Sequence, residues 1–437
     1  MKRRFLCLTT SYPSVTEPNA GAFVMHLNRA LSDQVDQLDV VTYWRGGHLS
    51  DQAERSCHPH LTTTYVSEQI KSRGYTSISY AQVGGDALRG GAPDWMSAHP
   101  LKKLLWMPWS AWRLRGAYQR VLKRGHDEPR CSEATNAPQV IAHWAVPSGL
   151  ISARQRPIVY CHGGDVALLE SMRGGRGIAA YISRRARGVI CVSEDLRARW
   201  DTLVQASAQT DGVAPSFTLP MGITAPQPSP ESAKQWSAMI RGRLCIVTVG
   251  RLVEIKGYQL LLEALGRLSD EARAQLCWLA AGSGPEREKL ESTAKSLKVP
   301  LYLLGELSAS ERDALLEVGD LFIAPSVQVG TRVEGAPLAL REAALSGCPI
   351  ITTQLGGARE LVEQLPEGSA QLCRPHVDDV HAAVTRYLAQ RGQSSAPSRA
   401  RQAQATRDVA RRLWSWDELG PRHAALITSL SERYRPG

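Results

Sequence analysis

Two glutamates, Glu334 and Glu342, stand eight residues apart in the run VEGAPLALREAAL, residues 333–345. Pro337 suits the first turn of a helix, because its fixed φ fits there and its missing N–H is not needed. Strong helix formers follow it. Glu334 then falls in the loop before the helix, and Glu342 about one and a half turns inside. Gly335 lets a ligand approach the backbone. The free N–H groups of a first helical turn, together with the helix dipole, hold an anion such as a diphosphate. One carboxylate can accept hydroxyl hydrogen bonds at the mouth of such a site and the other deeper in. The stretch therefore suits a molecule carrying both phosphates and sugar hydroxyls. Two glutamates at this spacing occur often by chance, and taken alone the stretch reads more readily as a surface helix with both in water.

Other residues supply complementary chemistry. Arg251 and Lys256 lie in RLVEIKG, directly after the apolar run LCIVTVG. Two cations in a loop after a strand can clamp a diphosphate, Arg by its fork and Lys as a point charge. His162-Gly163-Gly164-Asp165 follows the apolar run PIVYC. A His and an Asp at a strand's C-terminal end lie where open α/β sheets bind ligands, as an acid/base pair or as a hydroxyl clamp. Gly21 sits at a turn into a helix, where a phosphate can come close. Gly282-Ser283-Gly284-Pro285 lacks the full Gly-x-Gly-x-x-Gly and does not support a nicotinamide cofactor. Residues 101–125 carry seven Lys/Arg, no acid, and Trp106, Trp109 and Trp112. Basic residues beside indoles fit a lipid headgroup layer, or equally a core helix from 109 to 124 with a solvated basic face.

These residues need elements to position them. RFLCLTT, LDVVTYW, VIAHW, PIVYC and GVICV read as buried strands separated by helices, with Ser193 and Glu194 opening one of the helices. The alternation restarts with LCIVTVG, QLCWLAAG, LYLLGEL, DLFIAPS and PIITT. The fold class is α/β, with two Rossmann-like doubly wound domains. The expected boundaries are a first domain over 1–224, a Pro/Ser-rich linker over 225–240, a second domain over 241–400, and a C-terminal helix over 401–437 returning to the first. Residues 45–100 resist assignment, and 389–407 read as mobile.

Bulk properties bound the function class. The 437 residues, 43% hydrophobic and 22% charged, describe a globular protein. No apolar run approaches the roughly 18 residues of a membrane span. The start, MKRRFLCLTTSYP, has too short an apolar part for a secretion signal and reads as a first strand. Nine scattered cysteines without a Cys-x-x-Cys pair fit buried thiols in a reducing cytoplasm. Of the net charge of +10, most lies in the first half, where 26 Lys/Arg face 18 Asp/Glu up to position 224. An anionic membrane face, a nucleic acid or a phosphorylated substrate would each account for it.

The motifs, in this order, resemble those of family-4 glycosyltransferases with the GT-B fold. The resemblance rests on Gly250-Arg251, Lys256-Gly257, Gly282-Ser283-Gly284-Pro285, Glu334 with Glu342, Gly356-Gly357, His162 to Asp165 and Leu219-Pro220-Met221-Gly222. It implies two Rossmann-like domains facing across a cleft, a nucleoside-diphosphate-sugar donor, transfer with retention, and no bound metal or other cofactor. By position, Arg251 and Lys256 would hold the diphosphate, assisted by the amides of Gly335, Ala336 and Leu338. Glu342 would bind the ribose and Glu334 the sugar hydroxyls. Gly21 would let the diphosphate approach, and His162 would lie near the sugar. The wording around residues 327–342 looks most like enzymes of exopolysaccharide and lipopolysaccharide synthesis. The implied partner is a saccharide acceptor, lipid-linked, reached from the cytoplasm at the inner face of the membrane. A sugar-nucleotide epimerase or hydrolase of the same fold, and a non-catalytic basic protein gripping membrane or nucleic acid, are the rivals. The sequence departs from the family at Ala336-Pro337, where Phe-Gly is frequent, and at Thr224, where an acid is frequent; both bear on donor choice.

Overall fold

The computed structural model describes residues 4–11, 21–32, 37–44, 75–82, 138–206, 212–330, 332–334 and 337–432, together with 111, 112, 114–116, 118, 119 and 122. By internal packing the chain divides into two units, 1–222 with 419–437, and 223–418.

The first unit carries β1 (Arg4–Leu8), α1 (Ala22–Ser32), β2 (Gln37–Trp44), β3 (Tyr75–Gln82), β4 (Gln139–His143), β5 (Ile158–Cys161), α2 (Gly164–Ser171), α3 (Gly175–Arg185), β6 (Gly188–Cys191), α4 (Glu194–Gln205) and β7 (Ser216–Thr218). Its strands form one parallel sheet in the order β3-β2-β1-β4-β5-β6-β7. The near-continuous apolar character of β1, β5 and β6 is what a strand covered on both faces requires; Leu6, Cys7, Leu8, Ile158, Val159, Val189 and Ile190 are fully buried. Ser193 caps α4 as expected, its side chain accepting from Leu196 N at 3.2 Å. Strand β3 falls inside residues 45–100, which carry no readable pattern. Half of the helix expected over 109–124 lies outside the described residues; within the rest Leu114 and Tyr118 are buried and Trp112 is exposed.

The second unit repeats the alternation: α5 (Pro230–Ile240), β8 (Leu244–Val249), α6 (Tyr258–Gly266), β9 (Leu276–Ala281), α7 (Arg287–Ser296), β10 (Leu301–Gly305), α8 (Ala309–Val318), β11 (Leu321–Ala324), α9 (Leu338–Leu345), β12 (Ile350–Thr353), α10 (Ala358–Gln364), β13 (Ala370–Cys373), α11 (Val377–Gln393) and α12 (Ala396–Trp414). All six strands are parallel, in the order β10-β9-β8-β11-β12-β13. The chain winds from β8 outward to β10, then returns to β11 beside β8. That reversal leaves a crevice beyond the C-terminal ends of β8 and β11, where open α/β sheets take their ligands. The fold is therefore the two-domain, doubly wound α/β class read from the sequence.

Three expectations need correction. Residues 230–240 are a helix and not linker: Ser229 accepts from Ser232 N, Pro230 opens the helix, and Trp236 and Ile240 enter the second core. The Pro and Ser that suggested a linker are a cap and an N1 proline. Residues 401–418 belong to the second unit. Ala410 and Trp414 of α12 pack in its core, and Ile223 N donates to Trp414 O at 2.7 Å. Only the body of the last helix, α13 (Trp416–Glu432), from Leu419 onward, belongs to the first unit. Residues 389–407 are ordered into the end of α11 and the start of α12, with Ser395 capping α12 at Ser398 N.

Seven cysteines among the described residues are buried and free. No helix among the described residues is long and apolar enough to cross a membrane.

Candidate functional site

The loops after β8, β11 and β12 of the second unit meet at Glu334, the loop after β9 packs against the first of them, and glycines set how closely they approach. The loop after β8 is zipped to the loop after β9 by Leu252 N donating to Ser283 O at 2.8 Å. A Cβ on Gly282 would sit 2.0 Å from Gly250 O, and one on Gly284 would sit 2.3 Å from Leu252 O. The Gly-Ser-Gly motif thus serves to bring two backbones together. Gly257, at φ +67, ends a short turn over Glu254–Lys256. A Cβ there would lie 1.9 Å from Pro325 O, so only glycine lets this turn pack on the loop after β11. Val327 N donates to Ile255 O at 2.9 Å across the same seam. Gly356, at φ +53, plays the same part on the other side, against Glu334 O.

The packing brings Lys256 onto Glu334. Its Nζ forms an ion pair with Glu334 Oε1, and Ser326 Oγ donates to Glu334 Oε2 at 2.6 Å. The two charged side chains are 22% and 17% exposed, so the pair is sheltered yet reachable. Ser326 is held from behind by Thr353 Oγ1, which donates to its carbonyl at 2.6 Å. Arg251 is half-buried in the loop after β8.

Helix α9 starts at Leu338 with Pro337 as its cap, one residue later than expected. Leu338 N–H is at the first helical position and has no acceptor within the helix. Gly335 and Ala336 lie outside the described residues. Glu342 is on α9, half-buried, with Oε1 2.8 Å from Arg312 Nη1 on α8. Burial, helped by Asp313, holds the Glu342 carboxyl above the usual range, while Arg312 and Lys256 oppose that rise. Lys256 therefore acts on both glutamates. Arg312 and Ser326 went unnoticed in the sequence. A serine two residues after a buried strand was a readable hint for Ser326; nothing local marks Arg312.

In the first unit, Gly21 is buried at φ +64, and its carbonyl accepts from Val24 N at the start of α1. Asp165 is buried and braces backbone. It accepts from Ala145 N at 2.7 Å, Gly163 N at 3.0 Å and His162 N at 3.1 Å. Its carboxylate is thus committed to holding the loops after β4 and β5. His162 is half-buried, its ring packed by Phe23 and Trp144, each 4.9 Å away between centroids. Burial, with the His423 charge adding to it, pushes the His162 ring down to about 3. An imidazole this weakly basic holds an accepted proton poorly, which favours the hydroxyl clamp over a general base.

The comparisons with known proteins agree with this architecture. Residues 233–409 match the model of the family described as glycosyl transferases group 1. The chain is 26% identical over 234 residues, 51% of its length, to the putative colanic acid biosynthesis glycosyltransferase WcaL of Escherichia coli K12. The match spans 55% of that relative's own length. It is 27% identical over 286 residues to the GDP-mannose-dependent alpha-(1-6)-phosphatidylinositol monomannoside mannosyltransferase of Mycolicibacterium smegmatis, covering 64% of this chain and 71% of that one. Among solved structures, Anabaena HepE in complex with UDP and glucose superposes with a TM-score of 0.65 at 15% identity, covering 98% of this chain and all of that one. WaaG, a glycosyltransferase of lipopolysaccharide biosynthesis, does so with 0.62 at 15% identity over 97% of this chain and all of that one. Residues 233–409, most of the second unit, thus match the glycosyl transferases group 1 model, and the solved structures place the chain in the two-domain GT-B fold class.

Proposed function

We propose that the chain is a retaining glycosyltransferase of surface polysaccharide synthesis, using a nucleoside-diphosphate sugar and a lipid-linked saccharide acceptor. The observation that carries this reading is the Lys256–Glu334 ion pair at the reversal point of the second sheet, beside Glu342 and the first turn of α9. The names of the matched relatives support the reaction class and the polysaccharide or glycolipid setting.

Breaking the sugar–phosphate bond places negative charge on the departing diphosphate. Arg251, Lys256 and the amides of Gly335, Ala336 and Leu338 stabilise that charge as it develops, without a metal. Lys256 is held in place by Glu334 until the donor arrives, and the diphosphate then competes for it. Glu334 turns to the sugar hydroxyls and to the positive character at the anomeric carbon. Glu342 takes the ribose, fixed by Arg312. Gly21 lets the diphosphate approach and His162 bonds a sugar hydroxyl. The acceptor attacks from the face the diphosphate leaves, and the leaving phosphate takes the acceptor's proton. The basic first half favours work at the inner face of the plasma membrane, as a peripheral cytoplasmic protein.

Thermal-shift titration with UDP, GDP and ADP and their sugars tests this, since a ligand of the folded state raises Tm. One nucleotide should raise Tm in the wild type and fail to do so in Lys256→Ala. A labelled sugar should pass to saccharide-lipid extracts. Turnover of donor that is unchanged by acceptor would assign the site to hydrolysis or epimerisation instead.

A further inference from the structure

The first unit holds a second polar arrangement, a pair of histidines with unequal access. His143, the last residue of β4, is fully buried, and its Nδ1 lies 3.0 Å from Nε2 of His162. Its other nitrogen, Nε2, is sealed in the interior without a hydrogen-bond partner among the described residues. His162 is the reverse. It keeps part of its surface accessible, and its Nδ1 has no hydrogen-bond partner among the described residues.

Neither ring is free to turn. His143 packs on Tyr160 with centroids 4.9 Å apart and planes at 18°, and lies nearly coplanar with His162, at 18°, edge to edge through their hydrogen bond. Tyr160 is anchored in turn by His423 of α13. His423 Nε2 donates to Pro220 O at 2.9 Å, so its Nδ1 is bare and accepts from Tyr160 Oη at 2.8 Å.

Two neutral imidazoles joined by one hydrogen bond share a single bridging proton, which leaves two arrangements. If His162 donates, His143 carries its proton on Nε2, and a buried N–H is stranded with no acceptor. If His143 donates from Nδ1, its sealed nitrogen is a bare lone pair. An orphaned buried N–H is the rarer and costlier of the two. The second arrangement forces the proton of His162 onto Nδ1, the accessible nitrogen.

We propose that His143 is a positioning residue that locks His162 in the Nδ1–H tautomer, making its accessible nitrogen a neutral hydrogen-bond donor to an oxygen of the sugar substrate. The tautomer stands on the geometry alone; its use in sugar recognition rests on the glycosyltransferase reading.

The test uses the full chain with 15N-labelled histidine, with long-range proton–nitrogen correlation at pH 7.5 and His162 assigned by the signals lost in His162→Asn. The wild type should show His162 protonated at Nδ1 and bare at Nε2. His143→Gln offers an amide N–H in the same place and should keep that tautomer. His143→Leu has no donor and should release His162 to the Nε2–H form that a free imidazole favours. Turnover follows: kcat/KM should fall about tenfold in the leucine variant, the worth of one hydrogen bond, and recover substantially with glutamine. Affinity for the bare nucleoside diphosphate should not move in either, because His162 addresses the sugar. A bare Nδ1 on His162 in the wild type, or an unchanged tautomer in His143→Leu, overturns the inference. Were the chain to turn over no nucleotide sugar, the spectrum would still decide the tautomer, so the two failures are distinguishable.

Discussion

Glu334→Gln separates two consequences of the central ion pair. The substitution keeps the shape and the hydrogen bond from Ser326 but removes the charge facing Lys256. Losing one partner of this sheltered pair should cost on the order of 1–2 kcal/mol of stability, between the surface and the fully buried cases. Nucleotide affinity should move the opposite way. With Glu334 neutral, Lys256 no longer has to be drawn from a carboxylate, and the diphosphate meets one negative charge fewer. At an effective dielectric of about 20, a unit charge several ångströms away acts with a few kcal/mol before screening. After screening and solvation, on the order of 1 kcal/mol is a reasonable net gain, about fivefold in Kd. Titration calorimetry with the nucleotide found by thermal shift should show Glu334→Gln binding tighter than wild type and Lys256→Ala binding at least tenfold weaker. Sugar transfer should fall by two or more orders of magnitude in both. If Glu334→Gln weakened nucleotide binding as much as Lys256→Ala, the picture of a lysine held in reserve by its partner would be refuted.

Gly257→Ala should lower stability by about 1–3 kcal/mol and abolish nucleotide-induced stabilisation, because its Cβ would sit 1.9 Å from Pro325 O at a φ of +67; equal Tm values with and without the substitution would contradict this. His143 is held well below its ordinary value, and His162 and His423 at about 3 and about 4, all mainly by burial. The unfolded chain, with values near 6.5, takes up protons first as pH falls, so stability is complete above about pH 6.5 and declines toward pH 4. Asp165 and Glu342, raised by burial, oppose this at the acid end. The slope should reach at most about 4 kcal/mol per pH unit, three protons' worth, and His423→Phe should flatten it in chemical denaturation at pH 7 and pH 5. Transfer should persist in EDTA if, as proposed, Arg251, Lys256 and amides meet the diphosphate; loss of activity restored by a divalent cation would refute that.

The acidic and basic positions were legible because chemistry at strand ends leaves a local trace: a buried apolar run, then glycine and charge, then a helix. LCIVTVG followed by Arg251 and Lys256 carries that trace, as does DLFIAPS followed by Glu334. The α/β alternation was equally plain, since each strand of a parallel sheet is apolar on both faces. Local reading failed where one residue type serves two purposes. Ser229-Pro230 is both linker vocabulary and a helix start, and only the burial of Trp236 and Ile240 decides between them. The polar stretch of α12 carries no clear stripe, and its place depends on Ala410 and Trp414 finding the second core.

What the sequence alone determined was most of the strands and helices, β3 and α5 excepted, and the groups at their ends, because turn geometry and apolar periodicity act over a few neighbours. Which groups meet was decided by tertiary packing. Lys256 and Glu334 are 78 positions apart, Arg312 reaches Glu342 from another helix, and His423 reaches Tyr160 across 263 positions. The same packing settled the chemistry of the histidines and of Asp165. Removal from water holds the imidazoles neutral, and the backbone N–H groups around Asp165 turn a candidate acid into a brace, effects that exist only once the chain has closed around them.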